Sequence, residues 1–193
     1  MVRLDNPNMT FYHISKNAGT SIEDWFLKNI KGAEIYTGDM RHAYPLDIYT
    51  LWDDLGWCFA CVRNPWDRTF SWYNYQKKGG KMSSSFEEFV MKLFYEGDLT
   101  EKYYRPVERQ INWSTCDYLI RYENLIEDFK VVQKKLNCFE PLPHLNLSQT
   151  MNNYGDHYIN DRMINIVGEY FKEDIDYFDY SFDSRENKSY KYS

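Results

Sequence analysis

The stretch Met9-Thr-Phe-Tyr-His-Ile14 is a short apolar and aromatic run, and the polar turn Ser15-Lys-Asn-Ala-Gly19 follows it directly. A run of this length that ends in a polar turn is typical of a β-strand. The residues after the turn carry apolar side chains at helical spacing, Ile22 and Phe26 among them, as far as Gly32. The stretch therefore predicts a strand, a loop and a helix that ends at Gly32.

The same order of strand and helix recurs twice along the chain. Trp57–Val62 (WCFACV) is typical of a buried strand, and Asn64 and Pro65 after it are residue types preferred at the N-cap and first position of a helix. Asp117–Tyr122 (DYLIRY) predicts a third strand, and the helix after it has an apolar stripe of Leu125, Phe129, Val132 and Leu136. Weaker patterns predict a short strand at 35–36 and helices over about 46–55, 86–95, 105–111 and 161–171.

Strands that alternate with helices predict an α/β fold. We expect a single domain over residues 1–182, with a central parallel sheet flanked by helices and P-loop-like strand-loop-helix phosphate sites. Residues 183–193 are rich in serine, lysine and tyrosine, and we expect a polar C-terminal tail there. Ligands of open parallel sheets bind beyond the carboxyl ends of the strands, so the loops that lead into helices deserve the closest inspection.

The composition excludes several classes of protein. Of 193 residues, 43% are hydrophobic and 27% are charged, which is a globular balance and not that of a disordered chain. The net charge of −6 opposes non-specific binding to nucleic acid, so an anionic ligand needs a local basic pocket. No run of ~18 apolar residues and no leader pattern occurs, and we therefore expect a cytoplasmic protein with no membrane partner.

The four cysteines, at positions 58, 61, 116 and 138, are too few for a disulfide scaffold in a chain of this length. Cys58 and Cys61 form a C-x-x-C string, but residues three apart on a strand point to opposite faces of the sheet. They therefore cannot share a metal ion, and we interpret them as buried core thiols.

The first strand-to-helix loop has the residue types of an anion site. Ala18 and Gly19 allow a ligand to approach the backbone closely. Thr20 and Ser21 bring hydroxyl and N–H groups to the start of a helix, and Lys16 supplies a cation. The loop is not a Walker A loop, because its lysine precedes the Gly-Thr-Ser string. An ordinary strand-to-helix turn with a solvated lysine is the alternative interpretation.

The second loop follows the most hydrophobic strand. Arg63 lies at the end of that strand, and Ser71 lies about two turns into the next helix, so a guanidinium fork and a hydroxyl are available for a second phosphate. Asp67 is three residues after Asn64. This position favours capping of the helix and pairing with Arg63 or Arg68 over a catalytic role.

Two stretches resemble the cofactor-binding segments of sulfotransferases that use 3′-phosphoadenosine 5′-phosphosulfate (PAPS). FYHISKNAGTSIEDWF (11–26) is similar to their 5′-phosphosulfate loop, and CFACVRNPWDRTFSWYNY (58–75) to their 3′-phosphate strand and helix. The resemblance is to the carbohydrate-type branch, which includes heparan sulfate 2-O-sulfotransferase and small bacterial relatives. It runs from about Thr10 to Phe182 and includes YLIRYENLIEDF, LPHLNLSQT and DIDYFDYSF.

By matching position, the resemblance implies that the 5′-phosphosulfate is held by Lys16, Asn17, Ala18, Gly19, Thr20 and Ser21, and the 3′-phosphate by Arg63 and Ser71. Ser148 would also reach the cofactor. The chain departs from the family at Asn17-Ala18-Gly19, where members usually carry Thr-Gly-Gly, and at Arg41-His42, where they often carry Lys-His.

His42 aligns with the catalytic base of the resembling enzymes, and Lys16 would stabilise the leaving phosphate. In the competing interpretation, His42 is a surface residue and the base is Glu23, Asp24 or Glu123. His13 is expected to be a strand residue that packs against the sheet.

The resemblance implies transfer of a sulfuryl group from PAPS, as co-substrate, to a hydroxyl acceptor, with carbohydrates among the candidates. No metal ion is expected, since PAPS has no γ-phosphate that needs a metal clamp. Two alternatives stay open: a non-catalytic member that binds nucleotide or glycan, and a P-loop-type nucleotide kinase. The sequence does not identify the acceptor or the oligomeric state.

Overall fold

A sheet of five strands is the framework of the fold. The computed structural model describes residues 1–48, 52, 54–80, 84–97, 108–143 and 153–183. The strands are Val2–Asp5 (β1), Asn8–Tyr12 (β2), Glu34–Ile35 (β3), Trp57–Val62 (β4) and Tyr118–Arg121 (β5). They lie in the order β3-β1-β2-β4-β5, so β2 is at the centre of the sheet.

The sheet is mixed, and the prediction of a parallel sheet is wrong for two of its four strand pairings, both of which involve β1. β2, β4 and β5 are parallel neighbours, with Phe59 opposite both Phe11 and Tyr118. β1, however, is antiparallel to both β2 and β3. Sequence analysis missed β1 because its four residues alternate apolar and charged side chains instead of forming an apolar run. In the sheet, Val2 and Leu4 are the buried half of that alternation.

The described α-helices agree with most of the predicted ones. They are Gly19–Asn29 (α1), Pro45–Ile48 (α2), Pro65–Lys78 (α3), Phe86–Val90 (α4), Leu125–Leu136 (α5), Asp161–Tyr170 (α6) and Lys172–Phe178 (α7). α4 continues as a π-helical turn, and α7 was not predicted. α1 ends three residues before Gly32, at Asn29. None of the helices that the structure describes is long and apolar enough to cross a membrane.

Parts of two weaker predictions fall outside the described residues. Residues 49–51 and 53 belong to the predicted helix over 46–55, and residues 105–107 to the one over 105–111. The described part of the second segment leads into a 3₁₀ turn, Gln110–Trp113. The tail expected at 183–193 is described only at Asp183.

The chain divides into two compact units. The sheet unit contains Met1–Val62 and Asn112–Asn146, and therefore all five strands with α1 and α5. The helical unit contains Arg63–Ile111 and Leu147–Arg185, with α3, α4, α6 and α7. The described residues of the sheet unit thus form two segments. The first helical segment lies between them in sequence, and the second helical segment follows them.

The core of the sheet unit forms where α1 and α5 pack on one face of the sheet. Ile22, Trp25 and Phe26 of α1 join Phe129 and Val132 of α5 and the inward side chains Phe11, Phe59 and Ile120 of the strands. The indole of Trp25 lies edge-on to the Phe129 ring, with 4.9 Å between ring centroids. Its Nε1–H also donates to the Glu140 carbonyl at 2.7 Å. The predicted apolar stripe of α5 is therefore confirmed as a packing surface.

The helical unit has an aromatic core of its own, to which α3, α4 and α6 contribute Trp66, Phe70, Phe86, Phe89 and Val167. α3 begins as predicted, because the Asn64 side chain accepts the Trp66 N–H at 3.1 Å and Pro65 is the first helical residue. The fully buried Asp174 of α7 accepts the backbone N–H groups of Gln110 and Ile111 at 2.8 and 2.9 Å. Burial raises the pKa of this carboxyl.

Trp25 offers a direct test of the sheet-unit core. The substitution Trp25→Phe removes the indole donor and part of a fully buried ring, and we expect it to lower the free energy of unfolding by about 2 kcal/mol. Leu27 on the same helix is 61% exposed, so Leu27→Ala should change the free energy by less than about 0.5 kcal/mol. Urea unfolding followed by circular dichroism measures both, and equal losses would contradict this account of the core.

Candidate functional site

The loop between β2 and α1 has an unusual backbone. Lys16 and Ala18 have positive φ angles of 69° and 61°, a left-handed conformation that non-glycine residues rarely adopt. Each such residue costs about 1 kcal/mol or more, and strain of this kind concentrates at functional sites. The sequence departure at Ala18, where the resembling family carries glycine, therefore falls on a position whose backbone favours glycine.

Two neighbours hold this loop in place. The Asn17 side chain is fully buried, and its Nδ2 donates to the Cys61 carbonyl near the end of β4 at 2.8 Å. Gly19 packs against the imidazole of His13, and a methyl group added at Gly19 would overlap that ring. Asn17 is among the residues predicted to contact the cofactor, and its amide group also ties the loop to the sheet. Gly19 is needed because only a residue without a side chain fits over His13.

Helix α1 begins without a side-chain cap from its N-cap residue. Ala18 occupies the N-cap position and has no polar side chain, while its carbonyl accepts the N–H groups of Ser21 and Ile22 at 2.9 and 3.1 Å. The first N–H groups of a helix have no partner within the helix, and the helix dipole favours an anion beside them. Thr20 is exposed at this end, and Lys16 is half-buried. The arrangement suits a phosphate or sulfate group.

Beneath the loop lies a buried ionic cluster around Glu23. One carboxylate oxygen of Glu23 is 2.6 Å from Nδ1 of His13 and 3.2 Å from the Met1 amine, and the other accepts from Arg41 at 2.6 Å. The side chains of His13 and Glu23 are 5% and 7% exposed. Sequence analysis treated His13 as a packing residue and Glu23 as one alternative base. A histidine and a glutamate ten residues apart give no signal that they form a pair across a strand and a helix.

The cluster fixes the protonation of its members. Burial raises the pKa of Glu23, but hydrogen bonds from His13 and Arg41 outweigh it and lower the pKa to about 2. Burial lowers the pKa of His13. Glu23 is therefore ionised and His13 neutral at pH 7, with the proton of His13 on Nδ1 where the carboxylate accepts it. A carboxylate with so low a pKa is a weak proton acceptor, which disfavours Glu23 as the base.

His42 lies next to this cluster. It ends the 3₁₀ turn Gly38–His42 that follows β3, and its Nδ1 is 2.8 Å from the backbone carbonyl of His13. A carbonyl only accepts hydrogen bonds, so Nδ1 carries a proton, and the basic lone pair of a neutral imidazole with this tautomer is on Nε2. The two imidazole rings meet edge to face, with 4.6 Å between centroids. The structure thus brings the predicted base beside His13, the first residue of the loop between β2 and α1 (residues 13–18), which is the candidate anion site and is named the anion loop.

Arg63, in the helical unit, makes a two-pronged ion pair with Asp67. Its Nε and Nη2 donate to the two carboxylate oxygens at 2.8 and 2.9 Å, and the side chain is 8% exposed. The predicted pairing of Asp67 with Arg63 is confirmed, while Asn64 supplies the helix cap. The Gln110 side chain binds the backbone of Arg63 twice. Its Oε1 accepts the Arg63 N–H at 2.9 Å, and its Nε2 donates to the Arg63 carbonyl at 2.8 Å. A phosphate at Arg63 must therefore share the guanidinium with Asp67.

Two other predictions for the site concern Ser71 and Ser148. Ser71 is half-buried on α3, and Ser148 lies outside the described residues. Among the residues that the structure describes, no group of three or more His, Cys, Asp or Glu side chains is arranged to hold a metal ion.

The left-handed alanine generates a stability prediction. Ala18→Gly should raise the free energy of unfolding by about 1 kcal/mol, because glycine adopts this conformation without strain and is better tolerated at an N-cap. Ala43, which has a φ of −61°, is the matched control. Ala43→Gly should lower the free energy by ~0.5–1 kcal/mol, because glycine has more freedom in the unfolded chain. Chemical denaturation of both variants is the measurement, and a loss of stability in Ala18→Gly would refute the strain.

The Glu23 cluster predicts how stability depends on pH. The pKa of Glu23 is about 2 in the fold and ordinarily 4.5, so its contribution is complete above pH 4.5 and disappears as the pH falls toward 2. This shift corresponds to about 3 kcal/mol. The lowered pKa of His13 acts in the same direction, with stability lost as the pH falls below ~6.5. Glu23→Gln should remove most of the decrease in the free energy of unfolding that occurs below pH 4.5. Unfolding curves from pH 8 to pH 3 test this, and parallel pH profiles for both proteins would contradict it.

Comparison with known proteins identifies an archaeal relative. No family model matches the chain, and no solved structure matches it. An uncharacterized protein of Archaeoglobus fulgidus is 30% identical over 119 residues, which are 61% of this chain and 84% of the archaeal protein. A match of this identity that covers most of the relative indicates common descent, so the chain belongs to the same family as this archaeal protein.

Proposed function

We propose that the protein is a cytoplasmic enzyme that transfers a sulfuryl group from PAPS to a hydroxyl acceptor. The observation that carries the proposal is the loop between β2 and α1, where left-handed Lys16 and Ala18 precede a helix start that no side chain caps. A P-loop-like anion site of this kind suits the 5′-phosphosulfate, as the sequence resemblance implies. Carbohydrate hydroxyls are the acceptors we favour, by the same resemblance.

The loop would supply electrostatic stabilisation. In sulfuryl transfer the acceptor oxygen attacks sulfur in line while the bond from sulfur to the bridging phosphate oxygen breaks, and negative charge develops on the leaving phosphate. The charge of Lys16 and the positive end of the α1 dipole would stabilise the negative charge on the leaving phosphate. Asn17 and Gly19 keep the loop in shape through the Cys61 carbonyl and the His13 ring. The chemistry proposed here uses no metal ion.

His42 would accept the proton of the acceptor hydroxyl. Its Nδ1 proton is engaged by the His13 carbonyl, which orients the ring and leaves the basic position at Nε2. Glu23 is a poor substitute because its pKa is about 2 and its oxygens hold His13 and Arg41. The Glu23 cluster thus supports the assignment of His42 by disfavouring its main competitor.

Arg63 and Ser71 are assigned to the 3′-phosphate by the resemblance, and Ser148 to the cofactor on the same basis. The Arg63 side chain is buried, and the ion pair with Asp67 already compensates part of its charge. A phosphate that shares this guanidinium gains less than one that meets an isolated arginine, since part of the charge is already compensated.

Ligand binding tests the proposal. Adenosine 3′,5′-bisphosphate should raise the melting temperature in the presence of EDTA, because a ligand at 100 times its Kd adds about 2.7 kcal/mol to stability. ADP, which has no 3′-phosphate, should shift it much less. Lys16→Ala should weaken the effect. Lys28→Ala should leave it unchanged, since Lys28 is an exposed lysine that pairs with Asp24 on the same helix. Equal shifts with AMP and the bisphosphate would refute the two phosphate sites.

Turnover decides between an enzyme and a binding protein. Incubation with PAPS and a library of hydroxyl acceptors, followed by mass spectrometry, should reveal a sulfated product. His42→Gln should bind the bisphosphate normally but lose ~100- to 10,000-fold in kcat, as expected for a missing base. Tight bisphosphate binding without product on any acceptor would favour a non-catalytic member. A kcat near that of the original protein in His42→Gln would remove His42 from the chemistry.

A further inference from the structure

A pair of thiols at the amino end of β4 is unrelated to the candidate site. Cys58 is the second residue of β4, and Cys116 lies two residues before β5. Both are buried, 5% and 8% exposed, and both are free thiols. A hydrogen bond joins the two side chains. The C-x-x-C string therefore draws attention to the wrong partner, because Cys58 meets Cys116 across the sheet and not Cys61 along the strand.

The backbone around the two cysteines brings their Cα atoms within the range of separations found in disulfides. Phe59 lies opposite Tyr118 in the parallel pair of β4 and β5, which places Cys58 level with Asp117. Cys116 lies one residue earlier, in the bend before β5, where the alternation of a regular strand does not apply. Ordinary sheet spacings for such an offset give a Cα–Cα distance of roughly 6 Å. Disulfides form at Cα separations of ~4.4–6.8 Å. The Cys58 N–H also donates to the Asp117 carboxylate at 2.8 Å, which holds the two segments together.

The other two cysteines occupy different places. Cys61 is 1% exposed and belongs to the core under α1, with Phe59 on the same face of β4. Cys58 lies an odd number of residues from Cys61 and thus faces the opposite side of the sheet. Cys138 follows α5 and packs at the edge of that core. Cys61 and Cys138 therefore serve as internal controls.

The two thiols are chemically unequal. The hydrogen bond from Cys116 lowers the pKa of Cys58, whereas the same bond and burial raise the pKa of Cys116 well above its usual range. Cys58 is accordingly the thiol that ionises first, with Cys116 as the hydrogen-bond donor. A nucleophilic thiolate beside a resolving thiol is the arrangement that favours disulfide formation.

We propose that Cys58 and Cys116 form an oxidation site that closes to a disulfide on exposure to a hydroperoxide. The Cys58 thiolate attacks one peroxide oxygen, an S–O bond forms, the O–O bond breaks, and the leaving oxygen takes up a proton. The Cys116 sulfur then attacks the resulting Cys58 sulfenic acid, an S–S bond forms, and the oxygen leaves as water with the Cys116 proton. The two thiols lose two electrons, and the peroxide gains them.

The position of this pair gives the bond a structural consequence. The chain leaves the sheet unit after Val62 and returns to it at Asn112. Cys58 precedes Val62 and Cys116 follows Asn112, so a disulfide between them encloses the whole intervening helical segment in one covalent loop. Closure of a loop of this length restricts the unfolded chain, and the oxidised protein should melt roughly 5–10 °C higher than the reduced protein.

The experiment uses the full chain and does not depend on the proposed function. Reduced protein is treated with hydrogen peroxide, quenched with an alkylating reagent, digested without reductant and mapped by mass spectrometry. We expect a cross-linked peptide pair that contains Cys58 and Cys116, about 2 Da lighter than the sum of the reduced peptides and restored by dithiothreitol. The melting temperature should rise with the fraction cross-linked.

The variants Cys58→Ser and Cys116→Ser should abolish the cross-link and the rise in melting temperature, whereas Cys61→Ala and Cys138→Ser should retain both. If a serine variant folds poorly, the peptide map of the original protein still decides the question. Peroxide treatment that gives only sulfinic acid, no cross-link, or bridges to Cys61, to Cys138 or between chains would overturn the proposal.

Discussion

Glu23 lies near the start of α1 and its carboxylate is buried. The candidate site depends on how the charge of this carboxylate is compensated. An ion removed from water is costly unless partners surround it, and here His13 and Arg41 come from segments that flank α1 on either side in sequence. Each partner is thereby fixed. His13 then supports Gly19 with its ring and His42 with its carbonyl, so one negative charge orders both the anion loop and the proposed base.

The anion loop illustrates a compromise between stability and binding. A side-chain cap at position 18 would satisfy the first N–H groups of α1 and stabilise the helix, but it would also occupy the place of an anion. Alanine leaves room at these groups for the proposed anion, although it is strained in the left-handed conformation. The surrounding contacts must offset that strain, and the bond from Asn17 to the Cys61 carbonyl is the clearest of them.

Sequence analysis correctly predicts the features that depend on one helix or strand alone. The apolar run of β4, the cap at Asn64 and the stripe of α5 are local patterns, and the structure reproduces them. Elements whose stability comes from partners distant in sequence were missed. β1 is a strand because β2 and β3 pair with it, and Glu23 is charged because residues from other segments surround it. The loop was located correctly, but its strain and the role of Asn17 depend on the fold. The ion pair between Arg63 and Asp67 is one of the two pairings that the sequence predicts for Asp67, because Asp67 lies four residues after Arg63.

The central position of β2 has a consequence for the kinetics of recognition. A strand paired on both sides, by β1 and β4, cannot shift its register or fray independently, so the loop that leaves it is preorganised before any ligand arrives. Binding to such a loop requires no slow ordering step. The rate of association of the proposed anion should therefore depend on diffusional encounter and on the ionic strength of the solution, and differences in affinity among anions should appear in their rates of dissociation.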